Sequence, residues 1–265
     1  MEAPGGTRGR GAGGTRVDCC ADEELATVPS GPEAADREVT SSGDIPFGVR
    51  WEDDVAALGE VRLAIDVGAN EGQTARVITE AFPAARVFSY EPVPRTFEVL
   101  QRRFADSRQV TCIRAALGAD IATARMVDGP ISGQNTLLTQ AKPDAPTVAV
   151  PVTTLAAQAI EHGWDFIDLL KIDTEGFEVE VLTGGLSLLE AGSVQFILAE
   201  CEFVRRPGEP HGCFTDILAL LAPLGYRVVS FYTAAVDRRG WVWGNVLLMR
   251  EGTFPEVYSS PHRPS

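Results

Sequence analysis

The chain has 265 residues, 45% of them hydrophobic and 23% charged, ordinary values for a globular protein with room for one well-packed α/β domain. Its 37 acidic residues against 23 basic ones give a formal charge of −14, which argues against a nucleic-acid partner, since phosphate binding needs a basic footprint. No apolar run approaches the roughly 20 residues that span a bilayer, and five cysteines without repeated spacing point to a reduced, cytoplasmic protein rather than a disulfide framework or a zinc site.

Residues 1–43 are rich in Gly, Ala, Thr, Glu and Pro without sustained periodicity, and no hydrophobic segment marks a secretory signal. They are expected to be disordered or partly ordered, with the folded domain over 44–255 and a tail over 256–265. Within the domain, "VRLAIDVG" reads as a first strand and "EGQTARVITEAF" as the helix after it. "RVFSYEP" is a second strand, and Phe97, Leu100 and Phe104 recur at helical spacing behind it. "QVTCIRAALG" reads as a third strand, and "ATARMVD" and "TVAVPVTTL" as a hairpin-like pair around the segment "GPISGQNTLLT". "DFIDLLKID" and "VQFILAECE" have the near-continuous apolar character of central buried strands. Phe214, Ile217, Leu218, Leu221 and Leu224 mark one helical face before Gly225, and "YRVVSFY" and "GNVLLMR" close the domain as an antiparallel pair. The result is an α/β, Rossmann-like class: seven strands, mostly parallel, the last antiparallel, with helices on both faces. That layout suits a methyltransferase better than a dehydrogenase.

Ligands of such sheets bind at the carboxyl ends of the strands, near the point where strand order reverses. "DVGANEG" lies at such an end. Gly68 allows close backbone approach, and Gly72 tight entry into the following helix. The spacing is G-x-x-x-G, not the G-x-G-x-x-G of dinucleotide enzymes. Asp66, two residues before the turn, is awkward beside a pyrophosphate but suits an ammonium or sulfonium. Glu91, ending the second strand, can accept hydrogen bonds from ribose hydroxyls. Together they favour S-adenosylmethionine.

"IDVGANEGQTA", "FSYEPVPRTFEVL", "VPVTTL" and "IDLLKIDTEGFEVEVLTGG" resemble, in this order, the FkbM family of S-adenosylmethionine-dependent methyltransferases, over about Val61 to Arg250. The resemblance implies O-methylation of a hydroxyl on a small specialised metabolite, such as a macrolide or sugar. It implies that Asp66, Gly68, Ala69, Asn70 and Gly72 line the methionine side, that Glu91 holds the ribose, and that Ala116 lies near the adenine. Arg114-Ala115-Ala116 departs from many methyltransferases in offering no acid to read the adenine amino group, which leaves that reading to backbone groups.

Methyl transfer is an in-line displacement, so positioning and one proton acceptor can suffice. "LLKIDTEG" supplies Lys171, Asp173 and Glu175. Strand periodicity puts Lys171 and Asp173 on one face, with Lys171 neutralising buried carboxylates. Asp173 is the first candidate, to touch the cofactor's ammonium or orient the acceptor, or else to cap the next helix or pair with Lys171. Glu175, Glu200 and His211 complete the catalytic set. In the polar loop "RRPGEPHG", His211 reads more readily as an ordinary exposed histidine than as the base. Asp173 with Glu200 or Glu202 raises magnesium as a lesser alternative; the two glutamates, read as facing opposite sides of their strand, leave only one beside Asp173. Phe203, Phe231, Tyr232, Trp241 and Trp243 are expected in an acceptor wall or in the core, and "SGQNTL" in a loop over the acceptor. The partner expected is a small hydroxylated molecule, with neither nucleic acid nor membrane, and the oligomeric state stays open. The rival readings are a non-catalytic S-adenosylmethionine-binding scaffold and a nicotinamide-dependent oxidoreductase.

Overall fold

A computed structural model describes residues 48–127, 147–204, 212–238 and 240–252. Residues 1–43, the "SGQNTL" segment, His211 and the tail 256–265 lie outside the described residues.

Strand β1 (Leu63–Val67) is buried at every position because helices cover both faces of its sheet. Its odd residues Leu63, Ile65 and Val67 enter one apolar core, and Ala64 enters the other. After a glycine turn come α2 (Gln73–Ala81), β2 (Arg86–Tyr90) and α3 (Pro94–Arg103). Pro94 fits in the first turn of α3, where its missing N–H costs no bond.

The segment expected to form one third strand divides. β3 (Val110–Ile113) pairs with β2, and the Ala115 N–H then bonds the Ile113 carbonyl at 3.1 Å in a tight turn. The chain leaves the main sheet there, and β4 (Ala116–Leu117) joins a second one. The expected pair, β5 (Ala122–Val127) and β6 (Thr147–Thr153), is antiparallel and completes that small sheet in the order β4-β6-β5.

Then follow α4 (Leu155–His162), β7 (Ile167–Ile172), α5 (Glu178–Gly184), α6 (Leu186–Ala191) and β8 (Val194–Glu202). α7 (Phe214–Leu221) buries Ile217 and Leu221 and gives way to a short 3-10 turn, Ala222–Leu224, and to Gly225 at φ 83°. β9 (Tyr226–Asp237) and β10 (Gly240–Arg250) form the expected antiparallel pair. The main sheet runs β3-β2-β1-β7-β8-β10-β9, seven strands of which β10 alone runs opposite to the rest.

An additional helix, α1 (Trp51–Leu58), lies against the second core through Val55 and Leu58. Its buried Asp54 accepts the Tyr232 hydroxyl at 2.5 Å and the Gly48 N–H at 2.8 Å. No helix among the described residues is long and apolar enough to cross a membrane.

Candidate active site

Strand order reverses between β1 and β7, and an open cleft lies at their carboxyl ends. The structure brings Gly68, Asn70, Glu91, Ala116, Asp173, Glu175 and Glu200 together in its wall. Asp66, Ala69 and Gly72 are absent from that wall, and His211 lies outside the described residues.

The glycine turn is built against β7. Gly68 and Ala69 donate N–H bonds to the Tyr90 carbonyl at 3.0 and 2.9 Å, and Asp173 donates its N–H to Val67 at 3.0 Å. Gly68 has φ +75°, and a Cβ there would lie 1.7 Å from the Asp173 carbonyl oxygen, so the two segments meet only at glycine. Gly72, at φ +87°, serves packing: a Cβ would come within 2.4 Å of the Phe104 ring and 2.8 Å of Leu100. Gly72 and Ala69, expected on the methionine side, are not in the cleft wall.

Asp66 requires a similar correction. Alternation along β1 turns it to the side of Ser89 and Lys171, its register partners on either side. There it is 0% exposed, with the Ser89 hydroxyl donating at 3.4 Å. Lys171 is the centre of this layer. Its Nζ stands 3.5 Å from Asp66 and 3.2 Å from Asp173, and donates to the Gly68 carbonyl at 3.3 Å. Burial works against its charge, but Asp173 and Asp66 outweigh that and raise its pKa. Lys171 therefore neutralises carboxylates, as expected, and also ties the glycine turn to the end of β7.

Glu91 lies in the wall with its carboxylate braced by two backbone donors, the Val93 and Asn70 N–H groups at 2.9 and 3.0 Å. Burial pushes its pKa up to about 7, against those bonds. Asn70 reaches this position in the left-handed region, φ 51°.

Asp173, Glu175 and Glu200 each place a carboxylate oxygen within 4.8 Å of the others, a set able to hold a cation. Glu200 is pushed up to about 9, first by burial and then by the charges of Asp173, Glu175 and Glu178. One member of the trio is thus neutral at pH 7. Of Glu200 and Glu202 only the first belongs to this group, but the reason is corrected. Two residues apart on a regular strand, they share a face, with Asn245 opposite one and Trp243 opposite the other. Position along β8 separates them.

Phe203, Phe214 and Phe231 pack against the first core and none of them lines the cleft, whereas Trp241, which contacts Phe203 and Phe231 at 5.2 and 5.8 Å, and Trp243 are exposed, so the core reading holds for the phenylalanines and not for the tryptophans. His162 packs in a three-ring cluster with Phe88 and Trp164, also away from the cleft. The sequence reading missed Tyr90, Leu117, Met126, Thr174 and Phe177 in the wall. Tyr90, Thr174 and Phe177 adjoin motif residues and could have been included on that ground. Leu117 and Met126 come from β4 and β5 of the small sheet, outside its "VPVTTL" motif in β6.

Comparison with known proteins follows from this geometry. The family model described as the methyltransferase FkbM domain matches residues 66–228, more than half of the chain. Methyltransferase sdnD of Sordaria araneosa is 27% identical over 220 residues, covering 71% of this chain and 80% of its own. Methyltransferase 1 of Beauveria bassiana is 26% identical over 153 residues, 49% of this chain and 61% of its own. Among solved structures, Aeropyrum pernix fibrillarin, in complex with natively bound S-adenosyl-L-methionine, is similar with a TM-score of 0.44 and 15% identity, over 72% of this chain and 68% of that one.

Proposed function

The chain belongs to the FkbM methyltransferase family, S-adenosylmethionine-dependent enzymes with a Rossmann-like class I fold, and from that premise we propose that it methylates a hydroxyl oxygen of a small specialised metabolite, such as a macrolide, a sugar or a related natural product. The observation that carries this reading is the acid trio of Asp173, Glu175 and Glu200 in the cleft beside the glycine turn. A hydroxyl acceptor needs an oxygen that fixes its direction and takes its proton.

When bound, the cofactor supplies an electrophilic methyl group on a sulfonium. The close approach enforced at Gly68 and the cleft-lining Glu91 fit such a ligand. In this reading Gly68 and Asn70 border its methionine end, and Glu91 accepts ribose hydroxyls on lone pairs left by Val93 and Asn70. Ala116, Leu117 and Met126 give the adenine an apolar slot without an acid. Asp66 acts from behind, through Lys171. Asp173 and Glu175 orient the acceptor and receive its proton, while Glu200, neutral at pH 7, donates a hydrogen bond within the trio.

The test incubates the protein and methyl-labelled S-adenosylmethionine with a metabolite extract from a strain lacking the gene. The expected outcome is label on one oxygen of a small metabolite; label on nitrogen or carbon would reject the acceptor class. Binding of S-adenosylhomocysteine with no turnover on any acceptor would leave the non-catalytic scaffold. The 4.8 Å trio also favours a second reading, in which a divalent ion such as magnesium clamps the acceptor. Transfer abolished by a chelator and restored by magnesium would carry it, and transfer unchanged by chelation would end it.

A further inference from the structure

The trio depends on a turn, Thr174 to Phe177, whose geometry is held from below by a residue that is not itself in the cleft wall. Glu178 opens α5 and is 2% exposed. One of its oxygens, Oε1, accepts the Thr174 N–H at 2.9 Å, the Thr174 hydroxyl at 2.9 Å and the Gly176 N–H at 3.2 Å. Both donors flank Glu175, which is held at φ 54° where a non-glycine side chain is strained. Such strain, of order 1–3 kcal/mol, persists only where surrounding contacts enforce it, and it concentrates at functional sites. The other oxygen, Oε2, rests on Gly212, where an added Cβ would lie 2.0 Å away. Gly212 is itself fixed by its carbonyl, which accepts the Glu202 N–H at 3.1 Å at the end of β8.

We propose that Glu178 is a positioning residue for methyl transfer: it locks the Thr174–Gly176 turn so that the strained Glu175 faces the cleft beside Asp173, with Gly212 as the surface that holds Glu178 in place. The proposal deepens the methyl-transfer reading and rests on it. Glutamine at 178 keeps an oxygen able to accept all three hydrogen bonds, whereas alanine removes them. Alanine at Gly212 leaves every one of those groups present but pushes the carboxylate toward the turn. At Glu175, glycine and alanine both delete the carboxylate, but only glycine relieves the backbone.

The experiment measures three things on wild type, Glu178→Gln, Glu178→Ala, Gly212→Ala, Glu175→Gly and Glu175→Ala: S-adenosylhomocysteine affinity by calorimetry, the rate of label transfer into the extract acceptor, and melting temperature. In Glu178→Ala and Gly212→Ala, label transfer is expected to fall about tenfold or more while affinity stays within about threefold, with Glu178→Gln close to wild type. Glu175→Gly is expected to melt a few degrees above Glu175→Ala, the reverse of an ordinary loop position. Wild-type transfer in folded Glu178→Ala, or glutamine no better than alanine, would overturn the proposal. So would Glu175→Gly melting at or below Glu175→Ala. If wild type binds S-adenosylhomocysteine but labels nothing, the acceptor reading fails by itself. The decision on Glu178 then passes to amide exchange across 173–177, which Glu178→Ala must accelerate while Glu178→Gln does not.

Discussion

Glu200 is the carboxyl on which the electrostatics of the cleft converge. Its ordinary value of 4.5 is pushed up to about 9, largely by burial and then by Asp173, Glu175 and Glu178. The folded protein therefore holds a proton that the unfolded chain releases near 4.5. The stability linked to that proton is fully present below the unfolded value and is lost as pH rises through about 9. The expected outcome is a melting temperature that falls for wild type between about pH 5 and 9 relative to Glu200→Gln, with the gap growing by several degrees; parallel curves would contradict it. Glu91 gives an opposite trend in binding. Its carboxyl, near 7, must lose its proton to accept two ribose hydroxyls, so S-adenosylhomocysteine affinity should weaken about fivefold from pH 7 to pH 6. Calorimetry across that range checks it, and Glu91→Gln should bind weakly without the pH dependence. At this scale the sequence disclosed which acids matter and not how each one faces. Asp66 reads as ligand-facing because it precedes the glycine turn, yet it sits with Ser89 and Lys171, and only the pairing of β1 with β2 and β7 fixes that.

Among elements, the attachment of α1 was the least legible. Nothing in "WEDDVAAL" announces that Asp54 will be buried against a strand from the far end of the chain. Tyr232 completes that contact, and burial, then Asp54 itself, raises the tyrosine pKa. Tyr232→Phe removes the one side-chain donor to Asp54 among the described residues and leaves the Gly48 N–H as partner. It should cost about 1–3 kcal/mol in urea unfolding with little change in the slope, and a loss near zero would show that α1 is held by its apolar face alone. The break between β3 and β4 was hidden for a related reason. "QVTCIRAALG" is continuous in composition, and the tight turn at Ala115 shows only when β6 is present to receive Ala116 and Leu117. By contrast β1, β2, β7, β8 and the β9–β10 pair followed from local apolar runs, since a strand covered on both faces has no other composition available to it.

For the whole molecule, a formal charge of −14 is combined with a cleft in which Glu91, Asp173, Glu175 and Glu200 converge on one opening. Lys171 is buried behind this wall and already committed to Asp66 and Asp173. Self-repulsion of this kind is screened over about 10 Å at 0.1 M salt. The melting temperature should therefore rise by a few degrees between about 20 and 200 mM sodium chloride, and a flat or falling curve would show that the repulsion is already balanced within the fold. Local sequence was enough for the class of fold, the order of the main-sheet strands and the family, because hydrophobic period and short motifs are properties of neighbours along the chain. It determined that Gly68, Glu91 and Asp173 belong to one site. Tertiary structure alone shows that Gly68 must be glycine because of the Asp173 carbonyl, that Asp66 stands behind the wall, that burial and neighbouring acids raise the Glu200 pKa and that Glu178 underlies the turn. Each of these depends on distance through space and on the water excluded there, and neither is written in the spacing of residues along the chain.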